Sequence, residues 1–576
     1  MGSFNQIKSA HRGNNGSYLP YLIFAAVTGI LAFPVLKNVG NWGIRDWDLF
    51  TTLQAAAVRS IVEYHQFPFW NPYIGGGNIL FAHPEVSVLN PLFALLLIFG
   101  PLTGLKLQIL AVYFIGFIGT YKMARQLGIS RQAAYLPPIV FMLSSYVVLH
   151  VAAGHIPFHF FSTLPWLIFF YKKSLARPVH ILSAGGVVAF MILGSGAAVP
   201  LLFSLFFLFL FSLFDMGGTR KFWPPFFVLA TGLSGMLFSA VKFFPMVDYL
   251  LRNPWIPEGT VQTTPISALS DMFFSFNQSV YAGHVQGYVW DWHEYGAFVG
   301  PVVAVLALTA IVGNFRKAWP FLVMIVISLL LVLGSFWPPF SPLDVLHHLP
   351  GFESIRVPSR FSILAVLCLA VLSGQGADYL LSIVKSRRWI LSFSLFAAIL
   401  SLNLYVCLPI LGEAFTRSPE NPPRHGDFRQ TVGDPNRMYA AFLANEGTIR
   451  AGWVSAYRPG RGIMSAGDRV EEWYSPDNAV RIISREFSPN RLIFELAGEQ
   501  VGSLVISQGY DIGWRAVDGR EITPVSELIS LQVKPDEQHL ELYYYPRFFW
   551  LGLWVSLLSV GLAAISGLFL IRRLRL

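Results

Sequence analysis

The sequence predicts a polytopic α-helical membrane protein of about twelve transmembrane helices, with a small extracytoplasmic β domain near the C-terminus. Three observations predict it. Hydrophobic residues make up 54% of the chain and charged residues only 13%, against roughly a quarter charged in soluble globular proteins. Basic residues fall in short clusters between apolar runs: "KMARQLGISR", "YKKSLAR", "GGTRKF", "NFRKAW", "KSRRW" and the terminal "IRRLRL". One late segment, 411–547, is polar and alternates apolar with polar residues as half-buried strands do.

The distribution of charge decides what the net charge of +9 means. Concentrated on one face it would suit nucleic acid. Scattered between apolar runs it follows the positive-inside rule and argues against a nucleic-acid partner. A helix needs roughly 20 apolar residues to span the hydrocarbon. The predicted spans are 18–36, 105–122, 132–150, 158–172, 178–194, 198–214, 223–245, 295–313, 319–336, 361–380, 390–410 and 548–571. With both termini cytoplasmic in the cell inner (plasma) membrane, every basic cluster then lies inside. The polar lead "MGSFNQIKSAHRGNNGS" runs into an apolar stretch with no clear small-residue cleavage site, so the first helix is predicted to be uncleaved. "VSVLNPLFALLLIFG", Val86 to Gly100, is short and contains Pro91. Counting it as a span would invert the charge pattern downstream, so it reads as an interfacial or re-entrant helix on the outer side. Cys368 and Cys407 lie in apolar segments, which excludes a disulfide framework in the water-exposed parts.

This threading divides the chain into a transmembrane module (1–410), an extracytoplasmic β-rich domain (411–547), and a last helix with a basic cytoplasmic tail (548–576). The long segments 37–104, 246–294, 337–360 and 411–547 all fall outside, so chemistry or binding belongs on that face. The β-rich segment opens with the Pro-rich "SPENPPRHGDFRQ". It continues with the strand-like "NRLIFELAG", "GSLVISQGY" and "HLELYYYP", and Asp518–Gly519 of "VDGRE" predicts a hairpin turn.

The outer loops carry the residues that can do chemistry. "NWGIRDWDLFTTLQ" places Asp46 and Asp48 just past the first span. A carboxylate there can remove a proton from an acceptor hydroxyl. It can equally cap the helix that begins at "DLFTTLQAAAVRSIVEYH". At i, i+2 spacing the two cannot point the same way on a helix, so one catalytic acid is expected rather than two. "FPFWNPYIGGGNILFAHPEVSVLNP" brings three glycines, then His83 and Glu85. It lacks the Lys and Ser/Thr of a nucleotide loop and suggests a segment that lets a ligand approach. "AAGHIPFHF" puts His155 and His159 at an outer mouth, where they can bind a phosphate or sugar hydroxyl or satisfy a helix end. "VWDWHEYGAFVG" packs Asp291, His293 and Glu294 among aromatics, as a sugar-binding surface or an interfacial aromatic belt would. With Asp46, Asp48 and His155 this group could hold a divalent cation such as Mg2+ or Mn2+, although no spacing identifies metal ligands. "GFESIRVPSRFSILAV" sets Arg356 and Arg360 where an outer loop enters a span. Arginines are disfavoured there unless they bind phosphate or pair with an acid such as Glu353. Lys242 of "SAVKFFPMVDYL" is a weaker phosphate candidate.

Taken in order, "DWD", "FPFWNPYIGGG", "GHIPFHFFSTLPW", "HEYGAFVG", "FESIRVPSRF" and "GYDIGWRAVDGREI" resemble the YfhO-type bacterial membrane proteins, within the wider GT-C superfamily of integral-membrane glycosyltransferases. The resemblance covers nearly the whole chain. It implies a GT-C-like fold and transfer of a sugar from a polyprenyl-phosphate-linked donor to a cell-envelope glycan, lipid or protein acceptor, usually with inversion. The family's first-loop acid, its general base, carries over onto Asp48, with Asp46 competing. Arg356 and Arg360, with Lys242, would hold the donor phosphate, and His155 and Glu294 would line the sugar or acceptor pocket beside His83, Asp291 and His293. Many GT-C enzymes carry a clear second catalytic-loop acid and, where metal-dependent, recognisable ligands; here the sequence departs from that pattern, with Glu85 and Asp291 as candidate equivalents and metal dependence left open. Two rival readings share these features: a flippase or transporter of a lipid-linked glycan, and a non-catalytic glycan-binding membrane scaffold. Spans nearly free of charges and breaks favour chemistry at the outer face over transport.

Overall fold

The computed structural model describes residues 18–254, 262–280, 289–384, 386–450, 463–464, 470–497 and 501–575. The polar N-terminal lead read above as cytoplasmic lies outside them. Among the described residues eight helices are long and apolar enough to cross a membrane, or nine if one bent pair counts as a single span. The chain is thus built as a multi-pass membrane protein, with fewer full-length helices than the predicted twelve. The differences have local causes. The span expected over 158–172 begins with a 3-10 turn, Ile156–Thr163, and leaves only eleven α-helical residues, Leu164–Ser174. His180–Leu193 and Pro301–Gly313 are also short: "GSG" follows the first, and Gly300 at positive φ precedes the second. The span expected over 223–245 bends by 97° between Trp223–Phe238 and Ala240–Arg252. Val86–Gly100 does not span: it forms a 3-10 turn at Pro91–Phe93 and the six-residue helix Ala94–Phe99.

The segment 133–153 forms the centre of the bundle, with every residue of its apolar window buried, whereas Phe549–Gly567 lies at the edge with 17% buried. A break at Leu143–Ser144 divides this central segment into Leu136–Met142 and Ser145–Ala153. The second half carries His150 to its end, where Gly154 stops the helix in the left-handed region at φ +90.

Helix Trp47–Val62 lies across that end. Its opening turn is held by Trp47, which is fully buried. The Trp47 indole donates to the Val151 carbonyl at 2.8 Å and meets Phe415 edge-on with centroids 4.8 Å apart. The Asp46 N–H donates to Ala153 O at 3.1 Å. The approach requires glycine, since a Cβ at Gly154 would stand 2.2 Å from Trp47 N.

Among the described residues the two largest sheets of the C-terminal region are antiparallel. One runs Leu528–Val533, Gly502–Gly509, Trp473–Tyr474; the other runs Trp514–Ala516, His539–Tyr544, Arg491–Ala497, Arg481–Ser488. In Arg491–Ala497 the alternation buries Leu492, Phe494 and Leu496 against Leu504, Ile506 and Leu542. Gly519 does turn at φ +80. Its flanking strands belong to different sheets, so "VDGRE" is a crossover between sheets rather than the predicted hairpin.

The first long loop is part of this β core. Trp70–Asn71 and Asn78–Ile79 form a short hairpin around the three glycines, and Trp70 packs against Trp514 and Tyr544, with centroids 5.3 and 4.6 Å away. Gly76 donates to Thr448 O at 3.0 Å and Gly509 donates to Gly76 O at 2.8 Å, which joins the loop to the late region through main chain.

Gly154→Ala forces a side chain into the Trp47 turn at a backbone angle that disfavours it. It should cost about 1–3 kcal/mol, read as a lower thermal midpoint. An unchanged midpoint would show that the turn does not depend on this contact.

Candidate active site

The two aspartates of "DWD" point to opposite sides of the buried Trp47. Asp48 turns inward, its side chain 4% exposed. Its Oδ2 accepts the Met438 N–H at 2.6 Å and its Oδ1 the Tyr439 N–H at 3.3 Å, with Arg417 3.6 Å away. It therefore satisfies the first N–H groups of helix Met438–Leu443. Burial raises its pKa, while those two N–H groups and Arg417 pull it down. Asp46 sits at the N-cap position of helix Trp47–Val62 without capping it. Its side chain is 42% exposed and lies 3.0 Å from His155 Nε2.

His155 leads from Asp46 to Glu294, a carboxylate at the centre of the cluster. Around Glu294 stand His155 Nδ1 at 4.0 Å, His150 Nε2 at 3.6 Å and His293 Nε2 at 3.9 Å. Arg360 donates to both its oxygens, through Nε to Oε2 at 2.8 Å and through a guanidinium NH2 to Oε1. Burial alone would raise the Glu294 pKa; the Arg360 charge and its hydrogen bonds hold it well below the usual carboxylate range. Burial, reinforced by His155, keeps His293 well below the ordinary imidazole value. Arg360 lies over Phe158 at 4.8 Å, and Arg356 lies over Trp290 at 4.9 Å. Asp291 pairs with Arg45, which also donates to Val280 O at 3.3 Å. Arg45 takes positive φ to reach it.

Glu85 borders this group. Burial raises its pKa to about 7, with His155, Asp46, Arg360 and Lys242 all acting on it through their charges. Its segment is tied to helix Trp47–Val62 by Gln54, whose amide donates to Glu85 O at 3.1 Å and whose oxygen accepts from Ser87 Oγ at 2.9 Å.

Two expected site residues are placed behind the cluster. Lys242 is fully buried and donates to the carbonyls of Val86 and Gly194, the latter at 3.0 Å. That makes it a staple between segments rather than an exposed cation. His83 is also fully buried and accepts the Glu85 N–H on Nδ1 at 3.2 Å, with its pKa lowered to about 3 by burial and by Lys242. His159 stacks on Phe160 at 4.7 Å.

Asp46, His155, His293, Glu294 and Arg360 are thus brought together, with Glu85 and Arg356 within electrostatic reach. Asp291 joins through Arg45. Three contributors escaped the sequence reading: His150, Arg45 and Arg417. His150 had a signal, a histidine at the very end of an apolar span five residues before His155. The other two had none, because their partners are remote in sequence.

Donor atoms of His150, His155 and Glu294 lie within 4.8 Å of one another, a spacing open to a metal ion. The set is poorly matched to Mg2+ or Mn2+, which favour oxygen ligands. Two of the three donors are imidazoles, and both oxygens of the carboxylate already accept from Arg360. The guanidinium supplies the positive charge a cation would bring, so no step below runs through a metal.

No family model matches the sequence and no curated protein matches it. Among solved structures the chain is similar to the arabinofuranosyltransferase AftD from Mycobacteria, determined by single-particle cryo-EM. The identity is 15% and the TM-score 0.41, over 70% of this chain and 28% of that one. The chain therefore spans little more than a quarter of that neighbour.

A carboxyl whose pKa is raised on folding stabilises the fold most when protonated. For Glu85 that contribution is complete below pH 4.5 and lost as pH rises through about 7. The thermal midpoint of the wild type, relative to Glu85→Gln, should therefore fall across this window. A flat difference would remove Glu85 from the buried network.

Proposed function

We propose that the chain is a membrane glycosyltransferase of GT-C type. On this reading it transfers a sugar from a polyprenyl-phosphate-linked donor to an extracytoplasmic glycan, lipid or protein acceptor, with inversion at the anomeric carbon. The observation that carries the reading is the division of labour within "DWD". Asp48 is committed to a helix start, whereas Asp46 is accessible and lies 3.0 Å from the Nε2 of a histidine beside a buried acid–arginine pair. We therefore assign the base to Asp46.

In the reaction, Asp46 takes the proton of the acceptor hydroxyl as that oxygen bonds to the anomeric carbon. The bond from that carbon to the phosphate oxygen breaks, and its electron pair leaves on the polyprenyl phosphate. His155 orients the Asp46 carboxylate. Arg356, which lies over Trp290 at 4.9 Å within electrostatic reach of Arg360 and Asp46, is the guanidinium we assign to the departing phosphate. Glu85 and His293 border the space for the sugar. The basic clusters between spans support cytoplasmic termini and an extracytoplasmic site. Exposed Leu97, Ile98 and Phe99 on the short helix Ala94–Phe99 suit contact with membrane lipid and the donor's lipid tail.

The test uses purified protein in nanodiscs with synthetic polyprenyl-phosphate sugars, following donor loss by mass spectrometry. Asp46→Asn should lower turnover by about 100-fold or more, and Arg356→Ala should weaken it. Asp48→Asn should retain turnover while lowering the thermal midpoint, at a cost of about 1–3 kcal/mol for the buried N–H that loses its acceptor oxygen. Donor that binds through Arg356 but is never consumed would replace this reading with the flippase or scaffold. Turnover lost with Asp48→Asn and kept with Asp46→Asn would move the base to Asp48.

A further inference from the structure

A second concave site lies away from the acid–arginine cluster and shares no residue with it. Gly75 and Gly77 of the first loop, the end of helix Ala240–Arg252 and the late β region line an open cleft of about 310 Å³. That is at the lower end of the range for small-molecule clefts, roughly 300–1,000 Å³. Trp70, Tyr249 and Tyr510 give it aromatic walls, and Asn78, Asn253 and Glu527 give it hydrogen-bonding groups.

The walls are fixed before any ligand arrives. The Trp70 indole donates to Gln508 Oε1 at 3.0 Å, and Tyr249 donates to Asn78 Oδ1 at 3.4 Å. The Asn253 amide donates to Tyr249 O at 3.0 Å. Gly75, Gly76 and Gly77 all take positive φ, at +67, +72 and +103, which side chains disfavour. A Cβ at Gly77 would stand 2.4 Å from Gln508 Oε1, and one at Gly509 would stand 2.5 Å from Gly77 O. Glycine at these places lets the loop and the β region meet with main chain lining the cavity.

The arginine on the wall is already matched. Arg252 pairs with Asp248 at 3.0 Å and with Asp511 at 2.9 Å. The Asp511 carboxylate also accepts from Gly513 N and from the Tyr544 hydroxyl. An anionic ligand would have to displace Asp511 to reach Arg252. A neutral polyhydroxylated ligand would not, and it uses both kinds of wall: C–H faces against aromatic rings, and hydroxyls toward amides, carboxylate and main chain.

We propose that this cavity is a binding site for a neutral saccharide of one or two rings. The inference does not rest on the transfer reaction and stands if that reaction fails.

Binding is measured by saturation-transfer NMR on the full chain in nanodiscs, with maltose, cellobiose and chitobiose as probes and glucose 1-phosphate as the anionic control. At least one neutral disaccharide should bind below about 10 mM, and Tyr510→Ala and Asn253→Ala should each weaken it by about fivefold or more. Asp46→Asn should leave this binding unchanged, which separates the cavity from the proposed reaction centre. Thermal midpoints check that both cavity variants fold, and Asn253→Ala removes only a half-buried amide. Three results overturn the proposal: no binding by any of the disaccharides, unchanged affinity in both cavity variants, or binding lost with Asp46→Asn. A preference for glucose 1-phosphate overturns its neutral character.

Discussion

The site depends on the burial of one indole. Trp47 fills the space between the end of the central helix, Gly154 and Phe415, and it donates its N–H to Val151 O. Because that ring points into the bundle, its neighbours must diverge. Asp46 is delivered to His155, and Asp48 to the start of helix Met438–Leu443. Large apolar burial stabilises by amounts that a single surface hydrogen bond does not match. Packing therefore sets where the two carboxylates go, and their chemistry follows from the place each reaches.

Glu294 organises the charges in the same way. An isolated buried carboxylate is costly, so its stability there requires a cation with good hydrogen-bond geometry. Arg360 provides that through two hydrogen bonds, and three imidazoles complete the surroundings. The His150 Nδ1 faces Tyr146 O at 2.8 Å, one turn back in its own helix, so the ring presents Nε2 to Glu294. The central helix thus shapes the cluster by where it ends as well as by what it carries.

Much of this was legible in the sequence because it was local. Apolar runs marked the helices, alternation marked Arg491–Ala497, Gly502–Gly509 and His539–Tyr544, and aromatic-flanked acids in long loops marked the cluster region. What escaped was set by contacts remote in sequence. Nothing near Asp48 announces that its hydrogen-bond donors lie 390 residues later. Lys242 has the sequence context of a phosphate ligand, yet folding surrounds it with the carbonyls of Val86 and Gly194. Helix lengths were overestimated where hydropathy continued past a change of backbone geometry, as at Ile156–Thr163.

The first loop connects these features. From Trp47 it supplies the buried turn, from Trp70 a wall of the β core, from Gly75–Gly77 the main-chain junction with Gly509, and from Glu85 an acid beside the cluster. A loop packed this extensively against both the bundle and the β sheets cannot shift at one end without changing contacts at the other. Such a coupling would arise from shared packing rather than a dedicated hinge. The late β region, joined by hydrogen bonds at Gly76 and Gly509, is therefore part of what holds the charged cluster in place.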